Sequence, residues 1–173
     1  MPDSGTDNIY LNNAATSWPK PPEVLTAVQN SLSWPFTGGG RSIHTEFRDD
    51  IRAARVAVAD LFGFHESEEQ VIFSHNATDA LNTLIFGFIS AHPGPVHVIS
   101  SVLEHNSVLR PLHELEKAGK VNLTLIPVHG AYLDLEQLAE SIKHETRLAV
   151  LNHGSNVMGS VQNLDEIFRI LHE

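Results

Sequence analysis

Residues 96–118, VHVISSVLEHNSVLRPLHELEKA, show the pattern that indicates the fold class of this chain of 173 residues. The segment opens with an apolar run over residues 96–100, which is typical of a short buried strand. A polar turn follows, and the spacing then predicts a helix over residues 106–118 that Asn106 caps and Pro111 disturbs, because proline lacks the backbone N–H. A second apolar run over residues 121–127 predicts the next strand. This order of strand, helix and strand is typical of a parallel sheet.

The same alternation extends along the chain in both directions. Further strands are predicted over residues 71–73 and 148–151, and further helices over residues 78–90, 134–142 and 163–171. Upstream, a helix is expected from Lys20 towards Leu32, and an apolar stripe predicts another at Phe47, Ile51, Ala54, Val58 and Leu61. The predicted fold class is therefore α/β, with a mainly parallel sheet and flanking helices.

Composition excludes several classes of function. Hydrophobic residues make up 42% of the chain and charged residues 18%, which is typical of a folded globular protein. The formal charge of −10 argues against partners with phosphate backbones and against anionic membranes. The absence of cysteine excludes disulfides and zinc–thiolate sites within these residues, and the scattered histidines predict no metal site. The N-terminus shows no signal peptide and no apolar stretch is long enough to span a bilayer, so a cytoplasmic protein is expected.

Polar residues follow three of the predicted strands, where parallel α/β sheets bind their ligands. Residues 74–79, SHNATD, open a helix whose free N–H groups and Thr78 hydroxyl can hold a phosphate. The alternative is an ordinary helix cap by Asn76 or Thr78.

The other two loops offer an imidazole and an amide. His105 lies at a turn from strand to helix, where it can stack on an aromatic ligand or move a proton, or can equally be a surface histidine. Residues 152–159, NHGSNVMG, contain Asn156, whose amide can hold a ligand oxygen; the alternative is a turn that satisfies its own backbone. A phosphate cradle, an imidazole and an amide at one sheet edge suit a phosphorylated aromatic cofactor, for which pyridoxal 5′-phosphate is the candidate.

Five short motifs in this order resemble the class V aminotransferase group of fold-type I pyridoxal phosphate enzymes, and most of all the cysteine desulfurases. The motifs are YLNNAATS at 10–17, GRSIH at 40–44, NATDALN at 76–82, EHNS at 104–107 and SNVMG at 155–159. The resemblance implies that the chain forms part of the large pyridoxal phosphate-binding domain. It divides the chain into an N-terminal segment and helix, residues 1–40, and an incomplete large domain, residues 41–173.

The resemblance also implies roles for individual residues. Ala77 and Thr78 would bind the cofactor phosphate, His105 would stack on the ring and take part in catalysis, and Asn156 would bond the phenolic oxygen. A further group would line the substrate pocket, in part from a neighbouring subunit of a homodimer: Asn13, Ala14, Ala15, Arg41 and His44.

The implied reaction converts cysteine to alanine and leaves a persulfide on the enzyme. The resemblance also implies that a sulfur-acceptor protein can receive sulfur from this persulfide. A selenocysteine lyase, another class V aminotransferase and a non-catalytic α/β dimerisation module remain alternatives. None of the four lysines, Lys20, Lys117, Lys120 and Lys143, stands in the family's Ser/Thr-x-His-Lys context. The chain is therefore expected to be the N-terminal fragment of a longer enzyme and to be inactive alone.

Overall fold

The structure is a computed structural model that describes residues 9–33, 50–64 and 68–172. The chain divides into two units, Met1–Ile72 and Phe73–Glu173. The first unit contains helix α1, Pro22–Ser33, and helix α2, Asp50–Leu61. The second unit contains, in chain order, α3 (Ala77–Ser90), β1 (Val96–Ser101), α4 (Asn106–Lys117), β2 (Val121–Ile126), β3 (Val128–His129), β4 (Tyr132–Leu133), α5 (Leu135–Ser141), β5 (Thr146–Ala149) and α6 (Leu164–His172).

Strand β1 is the centre of a three-stranded sheet in the second unit. It pairs in parallel with β2 on one side and β5 on the other, and Val98 lies opposite Leu123 and Leu148. All six residues of β1 are buried, as expected for a parallel strand that is covered on both faces. The mixed α/β fold with a parallel sheet, predicted from the alternating pattern, is confirmed.

Helices cover both faces of this sheet, and successive residues of β1 therefore belong to two different core clusters. Val98 packs in a cluster with residues of α3 and α4, among them Ile85 and Leu112. Its neighbour Ile99 packs in a second cluster with residues of α5 and α6. The sheet is thus the middle of three layers, and the connecting loops reach its carboxyl edge.

The helix starts follow from the side chains that cap them. Asp134 accepts the Gln137 N–H at the start of α5, and Asn163 accepts the Glu166 N–H at the start of α6, the two positions at which these helices were predicted to begin. In α4 the prediction was wrong: His105 caps the helix, because its backbone is extended and its Nδ1 accepts the Ser107 N–H, whereas Asn106 is already helical. The helix also runs through the buried Pro111 without a break.

Two other local predictions differ from the structure. Residues 71–73 do not form a buried strand: Ile72 is 83% exposed and Phe73 50% exposed. An apolar run becomes a strand only where a neighbouring strand accepts its hydrogen bonds, and the sheet described here pairs only β2, β1 and β5. In addition, β3 and β4 form a small antiparallel hairpin that the pattern did not predict, with Gly130 at a positive φ of 65° in its turn.

In the first unit, the predicted helices over residues from Lys20 to Leu32 and up to Leu61 are present as α1 and α2, although Phe47 lies outside the described residues. Gly63, at a positive φ of 76°, ends α2. The N–H of Gly63 donates to the Asp60 carbonyl and that of Phe64 to the Ala59 carbonyl, which is the Schellman arrangement of a helix C-terminus.

Candidate functional site

The N-terminus of α3 lies directly after the segment that ends at Phe73, and its cap is Asn76. The Asn76 side chain accepts the Asp79 N–H at 2.9 Å, and its carbonyl accepts the Ala80 N–H at 3.1 Å. Within the part of the chain that the structure describes, the N–H groups of Ala77 and Thr78 have no hydrogen-bond acceptor. Asn76 therefore is the helix cap and still leaves two donors at the positive end of the helix dipole, next to the Thr78 hydroxyl.

A carboxylate stands in the same first turn. The Ser74 hydroxyl donates to Asp79 Oδ2, and His75 Nδ1 lies 3.6 Å from the same oxygen. The hydrogen bond from Ser74 is the main reason that the pKa of Asp79 lies below its usual value, and His75 acts in the same direction. Asp79 therefore stays ionised near neutral pH, and an anion bound at the helix start would depend on the N–H donors to offset that charge.

The N-terminus of α4 presents His105. Its Nδ1 accepts the Ser107 N–H at 3.1 Å and lies 2.9 Å from Ser107 Oγ, and Ser107 itself is buried. Since Nδ1 serves as acceptor in the helix cap, Nε2 carries the proton of the neutral ring; this tautomer is assigned from the hydrogen bonds. The ring thus has a defined orientation, held by the helix that it caps.

Thr78 and His105 line a single cavity of about 370 Å³ between α3 and α4. The cavity follows the two facing helix stripes away from these first turns, with Asn82 and Phe86 on one wall and Asn106, Arg110 and Glu114 on the other. Thr78 contributes a hydroxyl and His105 an imidazole to this lining, and the free N–H groups of α3 belong to the same helix turn as Thr78. These groups are compatible with a phosphate joined to an aromatic ring, so the chemistry of the residues present fits pyridoxal phosphate.

Asn156 lies in the loop after β5 and is not part of the lining of that cavity. The loop is held by the buried Ser155, whose hydroxyl accepts the N–H groups of Val157 and Met158. Its ends are joined by the bond from the Ser155 N–H to the Ser160 carbonyl, so the loop satisfies much of its own backbone. The Asn156 side chain is exposed on this turn.

The predicted substrate-pocket residues belong to the first unit. A turn at Asn12 is closed by the N–H groups of Ala15 and Thr16, and the Asn13 side chain accepts the Trp18 N–H at 3.1 Å. Ala14 and Ala15 are exposed on this turn. The remaining two predicted residues, Arg41 and His44, lie outside the described residues.

The lysines of the second unit lie away from the carboxyl edge of the sheet. Lys117 and Lys120 flank the turn that leads into β2, and Lys143 precedes β5, so all three stand before the amino ends of strands. In the first unit, Lys20 Nζ donates to the Ser17 carbonyl at 2.8 Å. The second unit therefore brings no amine to the helix starts at which Thr78 and His105 lie.

The described residues contain neither a metal-binding cluster nor a membrane-spanning helix. Across residues 9–33, 50–64 and 68–172, no three His, Asp or Glu side chains come together in a group that could hold a metal ion. Among the helices in these ranges, none has the length and hydropathy of a membrane span.

The parallel sheet between two helix layers is the α/β fold of fold-type I pyridoxal phosphate enzymes. The solved cysteine desulfurase of Thermococcus onnurineus NA1, in its apo form, superposes with a TM-score of 0.82 at 25% identity, over 95% of this chain and 41% of that one. The family model for class-V aminotransferases matches residues 9–173, and the chain belongs to this family.

Relatives of similar sequence carry the same name as the solved structure. The mitosomal cysteine desulfurase of Trachipleistophora hominis is 36% identical over 172 residues, and the cysteine desulfurase IscS of Dictyoglomus turgidum is 33% identical over 171 residues. Each match covers 95% of this chain but only 38% and 42% of the respective relative. The chain therefore spans about two fifths of the length of these relatives.

Proposed function

We propose that this chain is the N-terminal part of a pyridoxal phosphate-dependent cysteine desulfurase-like enzyme, which in complete form converts cysteine to alanine and transfers the sulfur to an enzyme cysteine. The observation that carries the proposal is the shared cavity of Thr78 and His105 at two helix starts. The sequence similarity to cysteine desulfurases supports the same proposal. In this proposal residues 41–173 belong to the cofactor-binding domain and residues 1–40 lead into it.

The phosphate would be held by the first turn of α3. The unpaired N–H groups of Ala77 and Thr78 would donate to its oxygens, the Thr78 hydroxyl would add a third donor, and the helix dipole favours the negative charge. Such donors are fixed in place by the Asn76 cap before any ligand arrives, which reduces the entropy cost of binding.

His105 would lie against the face of the ring. Its Nδ1 is used in capping α4, so the imidazole cannot turn freely and Nε2 is the atom that could take or give a proton. Asn156 would donate its amide to the phenolic oxygen, which requires its exposed turn to meet the ligand from the β5 side. When bound, pyridoxal phosphate withdraws electrons from the α-carbon of the amino acid attached to it.

The other assignments concern the substrate and partners. Asn13, Ala14 and Ala15 would line the pocket for a small amino acid, with Arg41 and His44 supplied towards the neighbouring subunit of a homodimer. A cytoplasmic enzyme that passes sulfur to an acceptor protein fits this assignment. Because no lysine reaches the helix starts of the second unit, the 173 residues alone would not turn over cysteine.

Binding of pyridoxal phosphate to the 173-residue chain tests the cradle. A hydrogen bond to a charged group contributes about 1.5 kcal/mol at the low end, so Thr78→Ala should weaken binding about tenfold in a fluorescence titration. Thr83→Ala, in the same helix and exposed, is the matched control and should leave the affinity unchanged. Pyridoxal without phosphate should bind far less well, and equal affinity for the two compounds would contradict the proposal.

The reaction is tested with the chain joined to the residues that follow it in its reading frame. Alanine formed in equal amount to released sulfur, from cysteine, supports the desulfurase. A 2-oxo acid product would instead support an aminotransferase, and turnover confined to selenocysteine would support the lyase. A stop codon directly after Glu173 would favour the dimerisation module and refute the proposed enzyme.

A further inference from the structure

Glu104 joins the two loops that carry the proposed site. It follows β1 and directly precedes His105, yet its Oε1 accepts the backbone N–H of Asn152, at 2.7 Å, from the loop after β5. The same oxygen accepts the hydroxyl of Ser101, the last residue of β1, also at 2.7 Å. One carboxylate oxygen therefore connects segments that are 48 residues apart in the sequence.

This contact takes the place of a missing bond between strands. The Val150 N–H donates to the Ile99 carbonyl at 2.9 Å, as in a parallel ladder. The next donor on that side is the Asn152 N–H, and a regular ladder would pair it with the Ser101 carbonyl. That carbonyl instead accepts the Glu104 N–H, at 3.4 Å. The Glu104 side chain supplies the acceptor instead and extends the pairing past the end of the sheet.

Ser101 completes the arrangement on the β1 side. It is fully buried, and its hydroxyl accepts the Leu103 N–H at 3.2 Å while donating to Glu104. The turn between β1 and α4 is thereby closed by side chains. Among the described residues no lysine, arginine or histidine lies within salt-bridge distance of Glu104, so its partners are an N–H and a hydroxyl.

We infer that Glu104 is a positioning residue that fixes the loop of Asn152–Asn156 against the turn that carries His105. The inference rests on the proposed function for its consequence, because these are the loops that would hold the ring from two sides. A charged acceptor is worth more than a neutral one at such a partly buried N–H, which explains why a glutamate serves here.

The contact between Glu104 and the Asn152 amide can be tested without any cofactor, by NMR on the 173-residue chain. Glu104→Ala should raise the hydrogen-exchange rate of the Asn152 amide at least tenfold and shift the His105 ring and Asn156 side-chain signals together. Glu104→Gln retains an acceptor oxygen and should restore most of the protection. Glu116→Ala, an exposed glutamate of α4, is the matched control and should change none of these signals. Far-UV circular dichroism would establish that each variant is folded.

A pH titration separates positioning from mere packing. Burial is the main reason that the pKa of Glu104 lies above its usual value of 4.5. The Asn152 amide shift should therefore titrate with a midpoint above 4.5 in the unmodified chain and should not titrate in Glu104→Gln. An Asn152 amide that neither titrates nor loses protection in Glu104→Ala would overturn the inference.

The consequence for the site is read from ligand binding. If Thr78→Ala weakens binding of pyridoxal phosphate and Glu104→Ala weakens it at least threefold with Glu104→Gln restoring it, both the inference and the proposed function are supported. If Glu104→Ala binds as well as the unmodified chain while Thr78→Ala does not, the proposed function stands and the inference fails. If the unmodified chain does not bind pyridoxal phosphate at all, the proposed function fails, and the measurements on the Asn152 amide alone decide whether Glu104 fixes the loop.

Discussion

The buried His97 of β1 allows a sharp test of how the sheet is held together, by substitution of its partner Thr124 with valine. His97 is 1% exposed, and both of its ring nitrogens are hydrogen-bonded across the sheet. Nδ1 lies 2.7 Å from Thr146 Oγ1 on β5, and Nε2 lies 2.8 Å from Thr124 Oγ1 on β2. One side chain thus links all three strands.

The protons in this chain of bonds can be assigned. Thr146 Oγ1 already accepts the Lys143 N–H at 2.8 Å, so its own hydrogen is available for Nδ1 of His97. Nε2 then carries the ring proton and donates to Thr124 Oγ1. Thr124→Val keeps the shape of the side chain and removes this acceptor.

A buried donor left without an acceptor costs about 1–3 kcal/mol. Thr124→Val is therefore expected to lower the free energy of unfolding of the second unit by about that amount. In a chain that already carries His97→Leu, no donor remains to be orphaned, and the same Thr124→Val change should cost less than about 0.5 kcal/mol. The difference between the two costs is the energy of interaction of the pair.

Urea unfolding at pH 7.5, followed by far-UV circular dichroism, measures both costs. Fluorescence is unsuitable, because both tryptophans, Trp18 and Trp34, precede residue 73 and do not belong to the second unit. Thr83→Val, exposed on α3, controls for the substitution itself. An equal cost of Thr124→Val with and without His97, or no cost in either, would refute the assignment of this hydrogen bond.

Three further predictions concern stability. Burial, aided by the charge of Lys143 and opposed by that of Glu145, lowers the pKa of His97 below 6.5, so the unfolded chain binds more protons than the folded chain. The contribution of His97 to the free energy of unfolding should therefore be complete above about pH 6.5 and lost as the pH falls through the folded-state pKa. Urea midpoints that fall no faster with acid than those of His97→Leu would contradict this prediction. Leu112→Ala opens a cavity at a fully buried site and should cost about 2–5 kcal/mol in the same unfolding assay, with a cost below 1 kcal/mol refuting the packing described here. Asp134→Ala removes the cap of α5 and should cost about 1 kcal/mol, whereas Asp134→Asn should retain most of the stability.

Much of the candidate site could be predicted because its pieces are local in sequence. Small polar residues before an apolar helix predict free N–H groups wherever the helix begins, and Ala77 and Thr78 have them. A histidine between a strand and a helix predicts a ring at a strand end, and His105 is there. That these two residues line one cavity follows instead from the packing of α3 and α4 in one core cluster, since the segment before Thr78 is not a strand of the described sheet.

The errors have a common cause in partners that the local pattern cannot supply. Residues 71–73 have the composition of a buried strand, but burial needs a neighbouring strand and the described sheet offers none. The local pattern also gives no role to Glu104, although this residue lies in the EHNS motif, because its partner Asn152 is remote in the chain. From the local sequence alone, a glutamate before a histidine indicates an exposed turn. Its role becomes visible only with the loop after β5, whose Asn152 N–H it accepts.

The α/β alternation, the starts of the helices at Asp134 and Asn163 and the polar loops around His105 and Asn156 follow from the sequence alone, since each depends on residues within one or two turns of the chain. The three-dimensional fold settles which loops are joined, which histidine is buried and which apolar run remains exposed. These outcomes depend on contacts between distant segments, as His97 between Thr124 and Thr146 shows. Hydrogen bonds of this kind are set by the register of three strands, and no single segment contains that register.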